Sequence, residues 1–394
     1  MSDPLFSDDA VRFDLLRQRA FNLRWATTDP DVIPLTAADP DFPIAACIRD
    51  AITAYTAGGV FSYGPPEGLP SFREVAARVQ RERRGWAGCE PGHILPTDSA
   101  ASAMFVAAKA LLGPGDEALI FDPVDFLFAA SVESAGATPV RCPVDAATGA
   151  FDLDALRARI SPRTRMLALC NPHNPLGRVM RRDELEAVAA LALEHDLWIM
   201  SDEVWCDIVH APHEHLSIAA LGPEIAARTL GVYGFSKTFG LAGLRVGYLA
   251  APNRDLQQRL LTTSQAPTTA YGVSTLSQVA AQAAYAHAWP WAERFLAHLV
   301  RMRDLAVSRL AAIPGLRVRA PEGTYVLFVN IEGLGRGSEA DVVRLLLEQA
   351  RVAVVPGLAR WFGPGAEGHV RLTFCTSEGV LTEALDRIER VLSD

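Results

Sequence analysis

Short runs of consecutive apolar residues recur along the chain, separated by stretches in which apolar positions return every three or four residues. Glu117-Ala-Leu-Ile-Phe, Arg165-Met-Leu-Ala-Leu-Cys, Leu197-Trp-Ile-Met-Ser, Leu230-Gly-Val-Tyr and Arg245-Val-Gly-Tyr-Leu have the length and content of buried strands. Periodic segments such as Asp183 to Glu194 lie between them and read as helices. From about residue 45 to 280 the two patterns alternate, which predicts an α/β fold built on a largely parallel sheet. A short amphipathic segment, Asp9 to Gln18, and an arm through Arg24-Trp25 come before it. An alanine-rich helical region follows from Val273 to Ala312 and is interrupted at Pro290. Beyond it the style changes. Leu316-Arg-Val-Arg, Thr324-Tyr-Val-Leu-Phe-Val-Asn, Val352-Ala-Val-Val and His369-Val-Arg-Leu-Thr-Phe read as strands around two helices, a smaller α+β domain. The expected division is an arm and part of the small domain over 1–44, a large domain over 45–285, and the small domain over 286–394.

With 394 residues, 49% of them hydrophobic, the chain can fill two cores. Its net charge of −9 argues against nucleic acid or an anionic membrane as partner, since both would be repelled over most of the surface. No stretch approaches the ~18 uninterrupted apolar residues of a membrane span. Six scattered cysteines, Cys47, Cys89, Cys142, Cys170, Cys206 and Cys375, show no metal-ligand rhythm. With an acidic start unlike a signal peptide, they are expected to be reduced thiols in a cytoplasmic enzyme, and no metal site is expected.

The candidate chemistry sits where strands end, which is where α/β sheets collect ligands. The run Gly234-Phe-Ser-Lys-Thr-Phe-Gly-Leu-Ala-Gly-Leu-Arg245 follows a strand and places Lys237 eight residues before an arginine. A lysine in such small, apolar, glycine-rich surroundings is partly desolvated, and so a plausible nucleophile; alone, Ser-Lys-Thr would more often be surface. After the strand ending at Cys170 comes Asn171-Pro-His-Asn-Pro-Leu-Gly177, a turn that offers the amide of Asn174. After Met200 comes Ser-Asp202-Glu-Val-Trp205, an acid at the mouth of the sheet that could equally be a helix cap. Leu95-Pro-Thr-Asp-Ser-Ala100-Ala101-Ser-Ala opens a helix whose first amides can hold an anion, with Arg245 as the matching cation. Arg371 is a charge in an otherwise apolar run, fit either to bind a carboxylate or to snorkel from an edge strand.

In order and spacing, from Ala38-Asp-Pro-Asp-Phe-Pro43 through Tyr63-Gly-Pro-Pro-Glu-Gly68 to Arg371, these residues resemble the class I/II aminotransferase superfamily of fold type I pyridoxal-phosphate enzymes. The resemblance implies a mostly parallel seven-stranded sheet in the large domain. It also implies pyridoxal 5'-phosphate bound to Lys237, Asp202 at the pyridine nitrogen and Asn174 at the phenolate oxygen. Ser236, Arg245 and the amides of Ala100 and Ala101 would hold the phosphate, with Tyr63 reaching it from the other subunit of a homodimer. Arg371 would take the carboxylate of an amino-acid substrate, with Ala38, Asn174 and Tyr63 nearby. Asp125 stands where the family places the aromatic that stacks on the ring, so either the neighbouring Phe126 takes over or the ring lies against something unusual. Trp205 stands where transaminases have tyrosine, and Gly234 where a phosphate-binding serine is common.

Phe21-Asn-Leu-Arg-Trp25, Asn171-Pro-His-Asn-Pro and Ser201-Asp-Glu-Val-Trp-Cys-Asp207 look like the cystathionine β-lyase branch, whereas Leu244-Arg245-Val-Gly is the transaminase form. The leading expectation is therefore a C–S β-lyase that releases thiol, pyruvate and ammonia from a cysteine S-conjugate or cystathionine-like amino acid. The alternatives are an aminotransferase, or a specialised natural-product enzyme that decarboxylates and deaminates a cysteine conjugate. A non-catalytic regulator is a remote fourth.

Overall fold

The computed structural model describes residues 3–393; Met1 and Ser2 of the acidic start, and Asp394, lie outside the described residues. Among the described residues twelve strands occur in chain order: β1 (Ile33–Pro34), β2 (Ile94–Thr97), β3 (Glu117–Asp122), β4 (Thr138–Pro143), β5 (Thr164–Cys170), β6 (Trp198–Asp202), β7 (Thr229–Gly234), β8 (Gly247–Ala250), β9 (Val326–Asn330), β10 (Val352–Ala353), β11 (Val355–Pro356) and β12 (His369–Thr373). Seven form one sheet in the order β2-β8-β7-β6-β5-β3-β4. β4, β3, β5, β6 and β7 run parallel, and β8 is antiparallel to both β7 and β2. Helices cover both faces of this sheet, so its central strands are buried on both sides and read as unbroken apolar runs.

The two strands of this sheet that the apolar pattern does not announce, β2 and β4, are its edges, and both carry prolines, Pro96 and Pro139. An edge strand can dispense with one ladder of N–H groups, so proline is tolerated there while weakening the sequence signal. The expected strand at Arg245 begins only at Gly247, because Arg245 itself is left-handed (φ 51°) and closes a short 3-10 turn. Leu316–Arg319 contributes a single bridge, Arg317 to Asn330, rather than a strand. Val352–Val355 splits between two sheets: β10 pairs with β1, and β11 with β12.

Pro290 divides the alanine-rich region as expected. Helix Thr275–His287 ends, and helix Trp289–Ala311 starts with the proline in its first turn, where no amide hydrogen is needed. The second helix carries the chain to the antiparallel sheet β11-β12-β9, which bears Arg371. Among the described residues no helix is long and apolar enough to cross a membrane, and none of the six cysteines is paired.

Candidate active site

The parallel register brings the ends of β5, β6 and β7 level, with Cys170 beside Asp202 and Asp202 beside Val232. The loops leaving these strands deliver Asn174, Asp202 and Lys237 to one place. Lys237 is one of only two lysines in the chain; the other, Lys109, is exposed on helix Ala100–Leu111. Its Nζ donates to the carbonyl of Ala38 at 2.8 Å and lies 5.2 Å from the centre of the Trp205 ring. Burial lowers its pKa; Asp39 pulls it back up and Arg371 pushes it further down. Trp205 is itself buried and packs edge-on against Tyr325 at 4.7 Å, whose hydroxyl donates to the same Ala38 carbonyl at 3.2 Å.

Asp202 is buried at the end of β6 and accepts one hydrogen bond, from the Val204 amide at 3.1 Å. Burial pushes its pKa up to about 7, opposed by that amide and by Lys237 and reinforced by the charges of Asp125 and Glu203. Its neighbour Glu203 is differently placed. Ser201, Ser217, Tyr233 and His215 all surround the Glu203 carboxylate at 2.7–3.2 Å. Burial pushes Glu203 up, but His215 and the two serines outweigh it and hold the group below its ordinary range. Of two adjacent acids, one is fully engaged inside the protein and the other is left open.

Arg371 and Asn174 meet across 197 residues of sequence: Nη1 of Arg371 donates to Asn174 Oδ1 at 3.2 Å, and Nη2 to the Thr36 carbonyl at 3.1 Å. Nε of Arg371 is buried without a partner. Asn174 Nδ2 donates to Asp125 Oδ2 at 3.0 Å, and Asp125 Oδ1 accepts from the Leu127 amide at 3.1 Å. Burial raises the Asp125 pKa, against Leu127, Arg371 and Lys237. Phe126 points elsewhere: it is 40% exposed and its ring packs edge-on against Trp361 at 5.7 Å.

At the other end of the pocket, Ser99 caps helix Ala100–Leu111 by accepting from Ser102 N at 3.0 Å. The amides of Ala100 and Ala101 therefore have no carbonyl to serve within the helix. Arg245 donates to Ser99 Oγ at 3.2 Å, which sets a cation at this positive helix end. Two glycines allow the helix to come so close. A Cβ on Gly247 would lie 2.7 Å from Ala100 N, and one on Gly234 would lie 3.0 Å from Val204 and 3.3 Å from Ala100 Cβ. The departure from serine at Gly234 thus has a packing cause. Ser236 is half-buried beside Lys237. Tyr63 is not brought to the pocket by its own chain: it is 91% exposed, beside a cleft of about 520 Å³ that Phe61 and Tyr271 also line.

Several participants carried no local signal. The buried pair Arg24–Asp41, with Trp25 Nε1 donating to Asp41 at 2.7 Å and Arg24 donating to the Pro34 carbonyl at 2.9 Å, fixes the loop that presents Ala38. Cys206 and Asp207 have structural surroundings: Cys206 is buried, and Asp207 receives Arg84 at 2.6 and 3.0 Å and Thr238 Oγ1 at 3.1 Å. Asp207 thereby braces the residue after Lys237. Among the described residues, no three His, Cys, Asp or Glu side chains could hold a metal ion.

These groups fit pyridoxal 5'-phosphate: a half-buried lysine for its aldehyde, an open buried acid for its ring nitrogen, and unserved amides with an arginine for its phosphate. The family profile "Aminotransferase class I and II" matches residues 30–388. An aspartate aminotransferase of Pyrococcus abyssi is 33% identical over 366 residues, 92% of each chain. The solved PLP-bound putative aminotransferase of Clostridium difficile superposes with a TM-score of 0.88 at 28% identity, covering 95% of this chain and 97% of that one. Cystalysin of Treponema denticola, which contains pyridoxal 5'-phosphate, shares the fold over 100% of this chain and 99% of its own, with a TM-score of 0.89, at 21% identity. The chain therefore belongs to the class I and II aminotransferase family and is a pyridoxal-phosphate-dependent enzyme of fold type I.

Proposed function

We propose that this enzyme is an aminotransferase that moves the amino group of an amino acid to a 2-oxo acid. The observation that carries the reading is the convergence of Lys237, Asp202, Asn174 and Arg371, from four separate segments, on one buried pocket in a chain whose 33%-identical relative is an aminotransferase. The C–S lyase expectation has less behind it. Cystalysin shares the fold alone, and Cys206 and Asp207, which suggested the lyase branch, serve packing and the Arg84 ion pair.

When bound, the cofactor supplies an aldehyde for the amino group and a ring that takes up the electron pair left by the α-proton. The protein does the rest. Arg371, held by Asn174 and Thr36, presents its remaining N–H groups to the substrate carboxylate and fixes the α-carbon. Lys237, its pKa lowered by burial, would take the α-proton at Nζ and hand it to the carbon that began as the cofactor's aldehyde, which leaves the amino group on the cofactor and frees a 2-oxo acid. Asp202, costly to ionise alone, would hold the cofactor's ring nitrogen and be stabilised as an anion by a proton there. Asn174 keeps one amide hydrogen for the phenolate oxygen after serving Asp125. Ser236, Arg245 and the amides of Ala100 and Ala101 receive the phosphate. We infer also that a second copy of the chain covers exposed Val60, Phe61, Tyr63 and Tyr271, and that Tyr63 reaches its partner's site.

The test is to supply L-norvaline or an S-alkyl-cysteine without and then with a 2-oxo acid. The near-visible band of the loaded enzyme should vanish after one turnover and return when the 2-oxo acid is added. Continuous release of pyruvate and thiol from the cysteine derivative without any 2-oxo acid would refute aminotransfer in favour of elimination.

A further inference from the structure

Three carboxyl groups act on Lys237 from different directions: Asp39 on the loop after Ala38, Asp125 after β3, and Asp202 at the end of β6. The cation that acts on it is Arg371. Other arginines nearby are engaged elsewhere, Arg24 with Asp41 and Arg245 at the helix start near Ser99. Asp125 is the best fixed of the acids. Its two oxygens accept from Leu127 N at 3.1 Å and Asn174 Nδ2 at 3.0 Å, and the far side of the same amide accepts from Arg371 at 3.2 Å. One amide's width therefore separates Asp125 from the guanidinium that would bind the substrate carboxylate.

A single arginine can neutralise one carboxylate. A second carboxylate, on the side chain of a dicarboxylic amino acid, would enter a pocket whose charged side chains, besides Arg371 and the reacting Lys237, are the acids Asp39, Asp125 and Asp202. We propose that Asp125 is a specificity-determining residue that excludes dicarboxylic amino acids, so that the accepted side chain is uncharged or cationic. This rests on the reading that Arg371 takes the α-carboxylate, and it sets the chain apart from the relative named for aspartate. Hydrogen bonds to Leu127 and Asn174 stop Asp125 from swinging away from an incoming anion. Juxtaposing like charges in a desolvated site costs several kcal/mol, enough for a preference of about 100-fold.

The experiment measures binding of unreactive acids of equal chain length, butyrate and succinate, to the pyridoxal-phosphate-loaded enzyme by calorimetry. Wild type should bind butyrate about 100-fold more tightly than succinate, and Asp125→Asn or Asp125→Ser should narrow that ratio at least tenfold. Equal or tighter succinate binding by wild type overturns the proposal, as does a ratio unchanged in both variants. Binding of neither acid overturns it together with the role of Arg371. The reaction itself is read separately by norvaline conversion. Amino transfer with an inverted acid ratio sinks only this inference, whereas the expected ratio without amino transfer sinks only the aminotransferase reading.

Discussion

Asp202 should destabilise the cofactor-free protein, and removing its charge should make that protein more stable while weakening its hold on the cofactor. The folded chain raises the carboxyl from its ordinary 3.8 to about 7, chiefly by burial. The native state therefore binds the proton more tightly than the unfolded chain does. Stability is unaffected below pH 3.8, falls as pH rises through the interval between the two values, and is fully diminished above about 7. At 1.36 kcal/mol per tenfold step the loss is about 4 kcal/mol at pH 8 and about 2 kcal/mol at pH 5. Asp202→Asn keeps an oxygen for the Val204 amide and has no charge to lose. Urea unfolding of cofactor-free wild type and variant should show the variant ahead by about 4 kcal/mol at pH 8, with the lead shrinking toward acid. In titrations with pyridoxal phosphate the variant should bind more weakly. A stability difference independent of pH, or a variant less stable than wild type at pH 8, would refute the burial argument.

Two further substitutions separate brace from binding group. Asp207→Ala leaves the Arg84 cation buried without its carboxylate and should cost about 3–5 kcal/mol, read as a lowered urea midpoint in cofactor-free protein. Arg245→Gln should leave stability nearly unchanged, since its side chain is 64% exposed, yet weaken pyridoxal phosphate about 10- to 100-fold with little effect on phosphate-free pyridoxal, measured by fluorescence titration.

The convergence of Lys237, Asp202 and Asn174 is legible because each stands at or just after the end of its strand, and a parallel sheet lines up strand ends whatever the rest of the chain does. Arg371 was legible as a charge among apolar residues, but its partners Asn174 and Thr36 lie 197 and 335 positions away, beyond any local pattern. Asp207 shows a role that the motif does not announce. It looked like a mark of reaction type, while its surroundings show a counter-ion for Arg84, 123 residues earlier. Ala38 was marked as a substrate neighbour from a motif, and what the structure shows is its carbonyl holding Lys237 and Tyr325, a backbone role that side-chain chemistry cannot announce. Strands β2 and β4 stayed hidden because proline is permitted at the sheet edges they occupy.

With two lysines in the whole chain, attachment of the cofactor can be read without ambiguity. Borohydride reduction of the loaded enzyme, followed by proteolysis and mass spectrometry, should place one phosphopyridoxyl group per chain on the peptide containing Lys237, and Lys237→Ala should carry none. A label on Lys109, or an unlabelled wild type that still shows the near-visible band, would contradict the account at its centre.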